Sequence, residues 1–180
     1  LQHYKAKHGH TLQDKLVAHL PEYARWAARL APVLNLRNRM PLLAALTEKL
    51  LGLSAKRSLP EWQMRHFFNT PPSAAQATAS REEVLAAERG VVLFVDTFNG
   101  YLESANAHAA VKVLKAAGYT VHVATKLQGD GQHLCCGRTY LASGMVDKAR
   151  EKASEVVQSL LPFAEKGLSI VGLEPSCLLT

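Results

Sequence analysis

The chain predicts a parallel α/β unit in its second half, preceded by an all-helical segment. Three observations carry this. Residues 91–95, VVLFV, are an unbroken β-branched and aromatic run, as expected for a strand covered on both faces. Two further strand-like segments follow at 119–124 and 168–173, each separated from the one before by a stretch with helical periodicity. Residues 12–68 carry helical periodicity cut by Pro21, Pro32, Pro41 and Pro60.

In the first half, each of those prolines sits where a helix starts or is forced to stop. Tyr23, Trp26, Ala27 and Leu30 fall at helical spacing, as do Leu42, Leu43, Leu46, Leu50 and Leu51, and both stripes are expected to be core. His3, His8 and His10 lie near the start without a carboxylate or cysteine at ligand spacing, so a frayed terminus is expected there rather than a metal site. Residues 69–79, NTPPSAAQATA, combine Pro-Pro with small residues and no apolar period. They read as a linker. The predicted division is a helical segment over 1–68, a linker over 69–80 and an α/β domain over 81–180.

Ser80 followed by Glu83 is a capping-box pattern that opens a short helix ending near Gly90. After the first strand, a helix from about Leu102 to Ala117 would bury Ala107, Ala110, Val111 and Leu114, with Gly118 closing it. The second strand covers Tyr119 to Ala124. A polar loop, KLQGDGQHL, leads to Cys135, Cys136 and Gly137; an amphipathic helix from about Val146 to Glu165 precedes the third strand at Leu168 to Leu173. Two right-handed crossovers of this size make a three-layer parallel-sheet unit, flavodoxin- or Rossmann-like. Ligands in such sheets sit at the carboxyl ends of the strands. Asp96 to Gly100, Cys135 to Arg138 and Glu174 to Cys177 all fall there.

Composition bounds the function. The chain has 180 residues, 48% hydrophobic and 20% charged, as a soluble globular protein does. The net charge of +6 is concentrated N-terminally: residues 1–68 hold 11 Lys or Arg against 4 Asp or Glu. Those charges are scattered singly, which favours a solvated helical face; nucleic-acid binding has nothing beyond charge in its support, and peripheral contact with an anionic membrane stays open. No apolar run approaches a transmembrane span. Three cysteines, two adjacent, make no disulfide framework, so a reducing cytoplasmic setting with metal or redox chemistry is expected. The chain begins without Met and ends three residues past Cys177, where a helix should be starting; it reads as an excerpt of a longer protein. Phosphate-loop, GxSxG and HExxH patterns are absent, so nucleotide hydrolysis and serine-hydrolase chemistry lack support.

The cysteines are the candidate site. Gly137 would let the backbone turn tightly beside the thiols, and Cys177 falls at a predicted helix N-terminus after Pro175, where the dipole favours thiolate. Thiolates bind iron and zinc.

These residues resemble the cysteine-rich CCG domains of iron-sulfur oxidoreductases, which occur in heterodisulfide reductase, anaerobic glycerol-3-phosphate dehydrogenase, and lactate-utilisation and glycolate oxidase iron-sulfur subunits. The likeness runs through VDTFNGYLES at 95–104, LKAAGYTV at 114–121, LCCGRTYLASGMVDKAR at 134–150 and VGLEPSCLLT at 171–180. The wording is most similar to the C-terminal region of fusion proteins joining an FAD-linked D-lactate or glycolate dehydrogenase to ferredoxin-type and CCG domains, with residues 1–80 as the helical connector.

The resemblance implies an electron-transfer domain holding an iron-sulfur cluster, of the 4Fe-4S kind, through Cys135, Cys136 and Cys177. FAD would belong to the parent protein only, and the flavin dehydrogenase and ferredoxin-type domains would be the partners. The isolated fragment would then be inactive by itself. Two departures stand out: Thr97 and Glu174 occupy positions where the family often has further cysteines. Three thiolates leave one corner for water or for Asp96, His133 or Glu174. Arg138 suits either thiolate stabilisation or a structural salt bridge. Two alternatives remain beside the cluster: a scaffold or docking domain without one, and a mononuclear zinc or thiol-redox site.

Overall fold

The computed structural model describes residues 1–70, 78–127 and 133–179. The first segment is a run of helices: α1 (Gln2–His8), α2 (Leu12–Ala18), α3 (Leu20–Arg29), α4 (Ala31–Leu34), α5 (Leu36–Arg39) and α6 (Pro41–Leu51). Pro21, Pro32 and Pro41 each lie in the first turn of a helix, where the missing N–H costs nothing. Thr11 and Asp14 form a full capping box on α2. The N-terminus, expected to fray, is helical; α1 is tied down by an ion pair from Lys5 to Asp14.

The leucine stripe is a correction. Leu42 is 78% exposed and Leu50 63%, and on α3 Trp26 and Leu30 also face outward. The helices bury their alanines instead: Ala18, Ala24, Ala27, Ala28, Ala31 and Ala44. Small side chains let helix backbones approach closely, so the packed seam runs along them and the larger residues are turned away. Residues 52–65, which form no helix, are held by side chains bonding to backbone. Arg37, 7% exposed, donates to the carbonyls of Leu53, Ser54 and Arg57, while Asn35 and Asn38 bracket Trp62 and Leu59.

The α/β unit comprises α7 (Arg81–Ala86), β1 (Gly90–Phe94), α8 (Thr97–Tyr101), α9 (Ser104–Ala116), β2 (Thr120–Val123), α10 (Arg138–Ala142), α11 (Val146–Glu165), β3 (Ser169–Gly172) and α12 (Pro175–Leu178). The sheet is parallel, in the order β2-β1-β3. Leu93 pairs with Val123 on one side and Val171 on the other. This is the mixed α/β architecture with helices at the N-terminus that the sequence predicts. The helix expected from about Leu102 to Ala117 is α9, Ser104–Ala116; ahead of it the sequence reading missed a short helix, α8, which caps directly on Asp96 at the end of β1. Ser80 and Glu83 make the expected capping box, but α7 stops at Ala86. Most of the 69–80 linker and of the KLQGDGQHL loop, residues 71–77 and 128–132, lies outside the described residues.

Alternation along β1 makes three layers. Val92 and Phe94 point into a cluster with Val84, Leu160 and Phe163 from α7 and α11; Val91, Leu93 and Val95 point the opposite way, onto Ala107 and Val111 of α9. Complete burial of side chains such as Leu93 and Phe94 is worth about 1.5–3 kcal/mol each. The helical segment packs onto this unit at two places. Ala18 meets Tyr140, whose neighbour Thr139 donates its hydroxyl to the Ala18 carbonyl at 2.9 Å, and Ala24 and Ala28 pack on Tyr101. Among the described residues no helix is long and apolar enough to cross a membrane.

Candidate functional site

At the carboxyl edge of the sheet, the segments after β1, β2 and β3 meet. The first contributes Asp96 and Thr97, the second Cys135 and Cys136, the third Cys177, and all five border one small pocket. The thiols lie close enough to act on one another's charge, Cys135 with Cys136 and Cys136 with Cys177. Backbone amides support two of them, since the N–H of Gly137 donates to Cys135 Sγ and that of Arg138 to Cys136 Sγ, both at 3.4 Å. Cys135 is buried, and Cys136 and Cys177 are half-buried against the Phe94 and Leu134 cluster.

Gly137 makes this arrangement possible. Its φ is +84°, in the left-handed region, and it caps α10. A Cβ here would lie 2.7 Å from the Ala149 carbonyl oxygen, so a side chain is excluded on two independent grounds.

Cys135 and Cys136 are held protonated. Donating its S–H toward Cys136, followed by burial, pushes Cys135 far above the ordinary thiol range. For Cys136 the bond from Cys135 lowers the pKa, but the bond to Cys177 and burial outweigh it and raise it to about 11. Cys177 sits on a helix of four residues, one turn long. At neutral pH Cys135 and Cys136 are therefore thiols.

The other candidate ligands are engaged elsewhere. Asp96 caps α8, accepting from the N–H groups of Phe98 and Asn99 at 2.8 and 3.2 Å and from Asn99 Nδ2 at 2.6 Å. Glu174 caps α12, accepting from Ser176 N–H at 3.1 Å and its hydroxyl at 2.7 Å; these bonds hold its carboxyl below the usual range. Glu174 does not border the thiol pocket. His133 Nδ1 is 3.2 Å from the Tyr101 hydroxyl, and the ring stacks on Phe68. Thr97 does reach the site: it is 4% exposed and borders the thiol pocket, and its buried hydroxyl has no hydrogen-bond partner among the described residues.

In donor chemistry the residues suit a thiophilic centre: three cysteines border one pocket, two of their sulfurs accepting amide N–H bonds, which stabilise negative charge on sulfur. As the chain stands, the pocket beside them is about 10 Å³, room for one water. No three His, Cys, Asp or Glu side chains among the described residues stand ready as a ligand set for a metal ion. Binding such a group requires the thiols to lose protons and move apart.

On the other side of Cys135 lies a second, larger cavity of about 490 Å³, between α3 and the sheet edge. Sequence reasoning missed it. Arg25 and Arg29, one turn apart on α3 and flanking Trp26, were its only legible trace, and they look like ordinary surface charges.

No family model and no solved structure matches the chain. Among known proteins, the chain is similar to a subunit of the anaerobic glycerol-3-phosphate dehydrogenase of Escherichia coli K12, 24% identical over 181 residues, covering 98% of this chain and 43% of that protein. It is also similar to D-2-hydroxyglutarate dehydrogenase, 26% identical over 188 residues in Escherichia coli K12 and 22% over 182 in Pantoea ananatis, covering 99% of this chain and 17% of each relative. The chain thus spans less than half the length of these curated relatives, each of which is a dehydrogenase or part of one.

Proposed function

We propose that this chain is an electron-transfer domain of an iron-sulfur oxidoreductase, in which Cys135, Cys136 and Cys177 hold an iron-sulfur cluster of the 4Fe-4S kind. The observation that carries the reading is the convergence of three thiols from two separate loops, with amide support, at the ligand-binding edge of a parallel sheet. The likeness to dehydrogenases and their parts supports the oxidoreductase setting. When bound, such a cluster carries single electrons.

The chain's own residues divide the remaining work. The three sulfurs hold the group, the Gly137 and Arg138 amides bond to sulfur and favour the more negative state, and Gly137 keeps Cys135 and Cys136 aimed into the same pocket. Thr97, where a fourth cysteine would complete the set, leaves an open corner. The electrons come from a flavin-dependent dehydrogenase of a 2-hydroxy acid, which with ferredoxin-type domains forms the partner set; FAD belongs to that parent assembly, in the cytoplasm. The isolated chain has no substrate turnover of its own.

The second reading, a clusterless docking domain of the same assembly, is favoured by Thr97 and by the closed 10 Å³ pocket. Anaerobic reconstitution with iron and sulfide separates the two, read by iron and acid-labile sulfide content, visible absorption and electron paramagnetic resonance. A cluster in the wild type and none in Cys136→Ser establishes the electron-transfer reading. A folded wild type that stays colourless and iron-free favours the docking reading.

A further inference from the structure

We propose that the 490 Å³ cavity between α3 and the sheet edge is a binding site for a small organic or inorganic dianion, a dicarboxylate or a phosphate. Its volume lies in the range of metabolite pockets. Four cations line it, Arg25 and Arg29 from α3 with Lys126 and Lys152 from the α/β unit, against one carboxylate, Glu22. Glu22 accepts the Tyr140 hydroxyl. Glu155, behind the lysines, pairs with Lys126 at 3.3 Å and Lys152 at 2.9 Å. The remaining excess is two positive charges, the complement of a dianion.

The arginines are presented rather than consumed. Both guanidinium groups lie over the Trp26 ring, Arg25 at 5.2 Å and Arg29 at 4.6 Å from its centroid, so one indole pre-orders two forks beside the opening. Stacking leaves the N–H edges available for bidentate contact with a carboxylate or phosphate.

The cavity wall also carries an unsatisfied polar atom. His66 lines the cavity and is 4% exposed, and its Nδ1, shielded from the cavity itself, has no hydrogen-bond partner among the described residues, which is rare for a buried polar atom. Burial and the nearby Arg29 charge keep this imidazole neutral, the behaviour of a site whose field is positive. Cys135 borders the same cavity, so an occupant would lie beside the thiols. The binding requires no cluster, and its failure and that of the electron-transfer reading are separate results.

The test is calorimetric titration of the 180-residue chain at low ionic strength with succinate and, in a second arm, inorganic phosphate, with acetate as the monoanion control. Amide chemical-shift mapping locates the site. The expected result is saturable one-to-one binding of at least one dianion, weaker for acetate, with shifts centred on Trp26 and His66. The tighter arm identifies carboxylate or phosphate as the recognised group. Arg25→Gln/Arg29→Gln, at two exposed positions, weakens binding by about tenfold per guanidinium, the scale of one charge-assisted hydrogen bond. Circular dichroism checks that this variant is folded, and Arg29→Gln alone replaces it if it is not. No saturable binding in either arm, binding unchanged in the arginine variants, or shifts that map to another face would each overturn the proposal.

Discussion

The nearest obstacle to a side chain at Gly137 is the Ala149 carbonyl oxygen on α11, 2.7 Å from where a Cβ would stand, and that contact ties the thiol loop to the longest helix of the fold. Gly137→Ala meets both this clash and the left-handed φ of +84°. We expect a loss of about 2–4 kcal/mol in denaturant unfolding. Gly52→Ala is the control: it is left-handed too, at φ +71°, but meets only the flexible end of the Gln13 side chain, so its cost should stay near about 1 kcal/mol.

Phe94 and Leu42 test where the core is. Phe94→Ala removes a ring that is 1% exposed at the centre of the sheet, and should cost about 3–5 kcal/mol. Leu42→Ala, at a position 78% exposed, should change stability by no more than about 0.5 kcal/mol. Thermal unfolding of the two variants checks the contrast. Equal losses would show that the leucine stripe is core after all.

Stability should fall on acidification because two histidines are buried neutral. Desolvation, reinforced by Arg29, lowers His66 to about 4; desolvation, then Lys126, His66 and Lys152, lowers His133 to about 4. The unfolded chain takes up protons at these sites near pH 6.5 while the folded chain does not, so the folded state loses ground as pH falls from 6.5 to 4. For His66 the limiting loss is about 3 kcal/mol. His66→Phe should flatten the pH dependence of the denaturation midpoint in that interval, and an unchanged slope would exclude His66 as its source.

The raised thiol pKa values predict slow alkylation. With Cys136 at about 11 and Cys135 higher still, iodoacetamide at about pH 7.5 should modify both at least about tenfold more slowly than free cysteine. The Cys136 rate should climb as pH approaches 11. Mass spectrometry of peptide-resolved labelling measures this, and fast labelling at neutral pH would show that Gly137 and Arg138 amide support dominates instead.

Ligand loading at the thiols must also release protons, because Cys135 and Cys136 are protonated at neutral pH. Titration of the anaerobic chain with zinc, as a thiophilic probe, in a weakly buffered indicator solution should release about two or more protons per ion bound. Cys136→Ser should release fewer.

Much of the fold was determined by local sequence. The β-branched runs place all three strands, the periodicity from Val146 to Glu165 sets α11, and Pro21, Pro32 and Pro41 set helix starts, because strand burial and helix initiation depend on residues within a few positions of each other. The grouping of Cys135, Cys136 and Cys177 followed from parallel topology, which brings successive strand ends to one edge. Tertiary structure alone decided the rest. Which stripe of α2 and α3 is buried depended on Tyr140 and Tyr101 accepting alanines, not larger side chains, more than 70 residues away. The meeting of Arg25 and Arg29 with Lys126 and Lys152 around one cavity is set by how the folded segments dock, and neither spacing nor periodicity encodes the register of that docking.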